Sequence, residues 1–497
     1  MTAARWRVFG IATLVAFLAM VLWSLASPLG TSPDEPSHMI RAASTVRGDA
    51  YGTPNATDPS LSDVMVPRYV AQTAAYACTA FDPSVTADCQ PHDVASPDDL
   101  VVSSHSANTG SPVYYAVVGL PSLVLSGDVA LYAMRLVSAL LTAVMIGSIF
   151  FALRELPRSR WASLTAVVAS TPMLLYLGGS VNPNGVEAAA AGAVFALLVA
   201  LLRVPAQGRV LLERVGLLLL AATLVTSSRS IGLLWVVIAT AAAALIADPA
   251  VVRDLVRRPL AWVAAGLCAA VCLLAVAWTI TLPTVGSAVF SGAGTSPLQG
   301  FQTMLLRSFD LDGAVGLFGW VDTPSPTFTL VVYALAIGGP TIAALVLARG
   351  RARLAVILLG AALVLVPAVS QALVVSTLGY IWQGRYILAV LVCLLLMVGI
   401  ALDDASDSAG PAVLRFCTVG LALIAAAQAF VFFMVLRRYV SGDSFLVAML
   451  SRPAWQPPGG WLLLAVLYAI VMTAAVLLVR RSIAAASSRP TQPVSSR

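Results

Sequence analysis

Polar breaks divide the chain into about twelve apolar runs, each close to the roughly 20 residues that a helix needs to cross a bilayer. The runs lie at 8–29, 129–153, 161–179, 185–202, 214–228, 230–247, 260–282, 328–348, 354–379, 386–402, 412–435 and 460–479, and the fifth is the shortest. This pattern predicts an all-α polytopic membrane protein with a single transmembrane domain over 1–482. Between the runs it leaves a large first loop at 30–128 and a second long loop at 283–327, with a disordered cytoplasmic tail at 483–497. The first loop is too long for a mere connector, so small helices lying on the membrane are expected in it. Within it, S-P-V-Y-Y-A-V-V-G-L-P-S-L-V-L at 111–125 is apolar but broken by Pro121. It reads as an interfacial or re-entrant segment with Tyr114 and Tyr115 at the headgroups.

Arginine orients the runs. With the N-terminus inside, nineteen Arg fall in cytoplasmic segments and nine in outer ones, and Arg135 lies within a span. Cytoplasmic loops carry the excess of basic residues, so both termini are expected in the cytoplasm of a bacterial plasma membrane, with 30–128 and 283–327 outside. Ser24 and Ala26 have signal-peptidase spacing, but the length of the first run and the many later ones favour an uncleaved anchor.

Composition excludes a soluble domain: 59% of the 497 residues are hydrophobic and 10% charged, with a mean hydropathy of +0.90. The net charge of +6 comes from a basic set that is Arg throughout, which suits a GC-rich bacterial genome. These Arg sit in short clusters between apolar runs without basic-aromatic platforms, so topology explains them and nucleic acid is not an expected partner. Of the six cysteines, Cys78 and Cys89 lie in the polar first loop, where an outer location makes a disulfide between them plausible. Cys268, Cys272, Cys393 and Cys417 sit in apolar runs as small hydrophobes.

Chemistry is densest at 31–41, T-S-P-D-E-P-S-H-M-I-R, just past the first run. A helix started by Pro33 would put Asp34, His38 and Arg41 on one face. An acidic first turn favoured by the helix dipole is the plain alternative, so location has to decide. Arg135 inside a span, and Glu187 at the outer end of another, are candidates to pair with the motif or bind substrate, since ionisable groups within a membrane are expensive. Arg229 and Arg385, in tight outer turns, suit bidentate contact with a lipid phosphate. Gln383 and Tyr386 flank Arg385 in W-Q-G-R-Y, and Asn182 with Asn184 brackets Pro183 in a third outer turn, where turn chemistry also accounts for them. D-E-P-S-H lacks the first His of a zincin, His92 and His105 have no ligand spacing, and no nucleotide-binding loop is present. No cofactor is expected, and nothing in the sequence indicates a divalent metal.

P-D-E-x-x-H after the first span, an N-P-x turn and Q-G-R-Y before a late span together resemble the bacterial membrane-protein family named domain of unknown function 2142. That family is similar in layout to class C glycosyltransferases, which transfer sugars from polyprenyl-phosphate carriers outside the cytoplasmic membrane. The resemblance spans about Pro33 to Tyr386. It implies a GT-C-like fold, an acidic base at Asp34 or Glu35, and a polyprenyl-phosphate sugar donor with an envelope glycan or lipid acceptor; Glu35, His38 or Arg41 would orient an Asp34 base or tune its pKa. Two positions depart from the pattern: Asn184 stands where an Asp is common, and no proline follows Q-G-R-Y. A flippase for a lipid-linked saccharide, or a non-catalytic assembly partner, would use the same Arg without needing the carboxylates.

Overall fold

The computed structural model describes residues 2–91, 94–108, 110–281, 288–308, 310–406, 411–443 and 446–487. The chain enters through α1 (Thr2–Ala26) and builds the first loop from α2 (Glu35–Thr45), β1 (Thr53–Pro54), β2 (Ser62–Pro67), α3 (Arg68–Ala71), β3 (Leu100–His105) and α4 (Pro112–Gly119). Then come α5 (Gly127–Glu155), α6 (Arg160–Ala169), α7 (Pro172–Gly178), α8 (Pro183–Arg203), α9 (Gly208–Ser228), α10 (Gly232–Leu245), α11 (Pro249–Leu255) and α12 (Pro259–Thr281). The second loop holds α13 (Pro297–Arg307), α14 (Asp312–Val315), β4 (Leu317–Phe318) and β5 (Thr323–Pro324). The chain ends with α15 (Thr327–Leu347), α16 (Gly350–Leu378), α17 (Leu388–Ala405), α18 (Pro411–Ser441), α19 (Leu446–Ser451) and α20 (Trp461–Ser487).

Among the described residues, ten helices are long and apolar enough to cross a membrane, and two bent pairs bring the spans to twelve. The expected run at 161–179 is α6 and α7, bent by 62° at Ser170–Thr171, where Pro172 cannot continue the preceding helix. The expected run at 230–247 is α10, turned by 118° into α11 at Asp248–Pro249, where Asp248 caps the new helix through the Ala250 N–H. α8 and α17 are buried on nearly every side, whereas α12 is almost uncovered along its length, as a lipid-facing helix should be. α20 runs to Ser487, into the stretch read as tail, and 488–497 lie outside the described residues.

Packing at one end rests on buried charge. Arg5 of α1 and Arg214 of α9 both reach Glu155 of α5, and Arg5 also meets Glu213. Nearby, Asp403 of α17 accepts the backbone N–H groups of Arg160, Trp161 and Ala162, so a carboxylate from another helix caps α6. At the other end the first loop contains an antiparallel sheet, β1-β2-β3, which the expectation of helices alone did not include. Its register sets Ser62 opposite His105 and Pro67 opposite Leu100. Val64, Val66 and His105 are buried on this sheet, which packs against α2. Tyr114 and Tyr115, expected at the headgroups, are instead buried in α4, because each hydroxyl has a protein partner: Ser138 for Tyr114 and His38 for Tyr115.

Candidate functional site

α1 stops at Ala26, and the chain turns through 27–34 before α2 begins, so the charged motif sits at the mouth of the bundle. Asp34 is the N-cap of α2 with φ 61° and ψ 5°, the left-handed region that a non-glycine residue enters at a cost of about 1 kcal/mol or more. Its carboxylate makes no capping hydrogen bond. It turns outward and accepts from Arg385 Nη2 at 2.6 Å. The Asp34 side chain remains 44% exposed while that of Arg385 is 3% exposed, so a buried cation meets an accessible carboxylate. Asn182 holds the turn by donating from Nδ2 to the Pro33 carbonyl at 2.9 Å.

The next residue has the opposite environment. Both Glu35 and Arg135 side chains are 0% exposed. Glu35 Oε1 accepts from Arg135 Nε at 2.7 Å and Val181 N at 3.0 Å, and Oε2 accepts from Arg135 Nη2 at 2.5 Å and Gly30 N at 3.1 Å. The other Arg135 donors reach the carbonyls of Ser24, Ser27 and Pro28. All five guanidinium N–H groups are thereby used, and no lone pair of Glu35 faces solvent. This pair fastens α5 to the end of α1, the start of α2 and the turn before α8. Glu35, expected as a base, and Arg135, expected as a substrate ligand, are thus fully engaged with each other and with backbone groups, and the pair holds the turn that carries Asp34.

Two further expected site residues are likewise engaged within the protein. Arg41 is 1% exposed, donates to the carbonyls of Ala107 and Gly110 and lies 4.4 Å over the Tyr115 ring, so it holds the 107–110 loop and is not open to substrate. Asn182 is fully buried and caps α8 through Asn184, so it shapes the turn and does not line a cleft.

What converges on Asp34 is a smaller set. His38 lies one turn along α2, its Nδ1 2.9 Å from the Tyr115 hydroxyl and its ring stacked on that tyrosine. Burial lowers the imidazole from its usual range to about 3, with the neighbouring Arg385, Arg41 and Arg229 adding to the fall and Asp34 opposing it. Arg229, at the end of α9, lies 3.9 Å over the Tyr386 ring, and the Arg385 guanidinium carbon is 5.3 Å from the same ring. One tyrosine thus carries two cations. Arg229 donates to Asn184 Oδ1 at 2.8 Å and stands 3.8 Å from Glu187, which is buried one turn inside α8. Arg385 Nε and Gln383 Oε1 are buried without a hydrogen-bond partner among the described residues. The guanidinium beside Asp34 therefore has an unused donor.

Several positioning residues carried no clear signal in the sequence. Gln371, a polar residue inside an apolar run, accepts the N–H groups of Ile381 and Trp382 and donates to the Gly379 carbonyl, which fixes the turn before Arg385. Gly384 and Gly313 touch backbone to backbone, and a Cβ on either would strike the other, so the second loop packs directly on Q-G-R-Y. Trp320 donates to the Gly30 carbonyl from that same loop. Arg438 donates to the carbonyls of Thr79, Asp82 and Val85, inside the loop closed by the Cys78–Cys89 disulfide. No group of three or more His, Cys, Asp or Glu among the described residues is arranged to hold a metal.

The family profile described as "Predicted membrane protein (DUF2142)" matches residues 17–394. The chain belongs to this family. The match runs from within α1 into the start of α17 and so includes every residue of the cluster around Asp34. No curated protein matches the chain. Two solved structures are similar to it at 16% identity: crystal structures of ArnT from Cupriavidus metallidurans in the apo state and bound to undecaprenyl phosphate. The matches cover 97% and 96% of this chain and 78% of each ArnT chain, with TM-scores of 0.46 and 0.43.

Proposed function

We propose that this protein is an inverting membrane glycosyltransferase. It moves a sugar from a polyprenyl-phosphate donor to a cell-envelope glycan or lipid acceptor at the extracytoplasmic face of the plasma membrane. The observation that carries the reading is the contrast between adjacent carboxylates: Glu35 is sealed by Arg135, while Asp34 is accessible and pairs with Arg385. An open carboxylate beside a partly unsatisfied cation suits a reaction in which one group loses a proton as another leaves as an anion.

In the proposed step the acceptor hydroxyl oxygen forms a bond to the anomeric carbon from the face opposite the phosphate. Its proton passes to Asp34 as the carbon–oxygen bond to phosphate breaks, and polyprenyl phosphate departs with the electron pair. Arg385, once released from Asp34, and Arg229, braced on Tyr386, would stabilise that anion, which makes a general acid unnecessary. Phosphate arriving at Arg385 would also compete with Asp34 for the guanidinium and free the carboxylate to act. The prenyl chain would lie among the lipid-facing spans below. The excess of Arg in the loops at the other end supports an outer position for this cluster.

Mass spectrometry of envelope glycans from a strain lacking the gene tests the reading. Loss of one sugar from a glycan or lipid, restored by wild type but not by Asp34→Asn, is expected. Full restoration by Asp34→Asn would refute it, and a sugar-lipid trapped on the inner leaflet would point to transport.

A further inference from the structure

We propose that Arg41 and Tyr115 lock His38 as its Nε2–H tautomer, so that it is a neutral hydrogen-bond donor beside Asp34 and not a second base. The inference follows from which groups own protons. A guanidinium has donors only. Arg41 is buried 4.4 Å over the Tyr115 ring and offers the Tyr115 hydroxyl no acceptor. The single hydroxyl proton then points to His38 Nδ1, 2.9 Å away. Nδ1 accepts, and in a neutral ring the remaining proton must sit on Nε2.

The surroundings keep the ring neutral. Three cations, Arg41, Arg229 and Arg385, act on it against one carboxylate, Asp34, and burial adds to their effect. Tyr115, the remaining ionisable group against the ring, is itself shifted upward by burial and stays protonated. Nε2 has no hydrogen-bond partner among the described residues and is not among the sealed polar atoms, in keeping with the half-buried state of His38. It therefore presents an N–H to whatever oxygen approaches Asp34, a phosphate oxygen or a sugar hydroxyl. This role in substrate binding rests on the glycosyl-transfer reading, whereas the tautomer does not.

With only three His in the chain, nitrogen-15 histidine spectra of the full-length protein in lipid nanodiscs resolve the question, and His38→Gln assigns the His38 signals by their loss. The expected spectrum has Nδ1 unprotonated and Nε2 protonated, unchanged down to about pH 5, well below the ordinary imidazole midpoint. Tyr115→Phe removes the donor to Nδ1 and should give mixed tautomers with a ring that titrates nearer its ordinary range. A proton on Nδ1 in the wild type, a charged ring at about pH 5, or an unchanged tautomer in Tyr115→Phe would each overturn the proposal. In transfer assays the His38→Gln amide N–H reaches the same space and should retain most turnover, while His38→Leu should lose at least about tenfold. Equal loss in both would contradict donation, and absence of transfer in every form would count against the enzyme reading while leaving the spectra decisive for the tautomer.

Discussion

Replacing Glu35 by Gln tests whether the sealed carboxylate is structural. Each of its oxygens accepts from two N–H groups, Arg135 Nε and Val181 N on one and Arg135 Nη2 and Gly30 N on the other. Either orientation of the Gln amide therefore sets an NH₂ against two donors and leaves Arg135 as a buried cation without its counter-charge. Breaking a buried pair in this way costs about 3–5 kcal/mol, at the upper end for a single substitution. With an unfolding entropy of about 2.1 cal/mol/K per residue, a chain of 497 residues should melt roughly 3–5 °C lower. The neighbouring Asp34→Asn also removes a partner from a buried arginine, but at a carboxylate that is 44% exposed to water, so its effect should be smaller than that of Glu35→Gln. Thermal midpoints by fluorescence-detected size exclusion in detergent read both variants. Equal midpoints for Glu35→Gln and wild type would refute the structural assignment and reopen Glu35 as the base.

Three other outcomes are expected. His105 is 1% exposed with neither ring nitrogen hydrogen-bonded among the described residues, and burial lowers it to about 4. The unfolded chain takes up its proton nearer 6.5, so below that pH the unfolded state binds more protons and stability falls toward about pH 4; His105→Leu should flatten this slope in midpoint-against-pH curves, and an unchanged slope would contradict it. Loss of the Cys78–Cys89 disulfide, which closes a separation of 11 residues, should cost about 3 kcal/mol in the chain-entropy estimate, read as a lower midpoint in Cys78→Ser/Cys89→Ser with no second loss on adding reductant. Gly384→Ala should push the second loop off Q-G-R-Y, because the new Cβ meets Gly313 backbone, and increase proteolysis of 310–316 while α17 stays folded.

Membrane class and span positions were legible because both rest on local composition, the apolar runs and the polar breaks between them. The distinction between Asp34 and Glu35 was not, because it depends on Arg135 one hundred residues away and on one left-handed backbone position. Arg41 shows the same limit, since its partners are carbonyls at 107 and 110, which no pattern of side chains marks. Gln371 was readable as a polar residue within 354–379, but its purpose depends on a turn that only tertiary packing brings within reach. The first-loop sheet left little trace, because S-D-V-M at 62–65 alternates in burial and not in residue type, and its partner strand at 100–105 is set by long-range pairing. The bends at 170–172 and 248–249 follow from prolines that apolar counting alone passes over.

The central claim is that Asp34 takes the acceptor proton. Purified wild-type protein and Asp34→Asn, matched for folded amount and reconstituted in liposomes with polyprenyl-phosphate sugars and an envelope acceptor extract, test it most directly by labelled sugar transferred. The account predicts transfer by wild type and a loss of about a hundredfold or more in Asp34→Asn, the scale of removing a general base. Transfer by Asp34→Asn at the wild-type rate would contradict it.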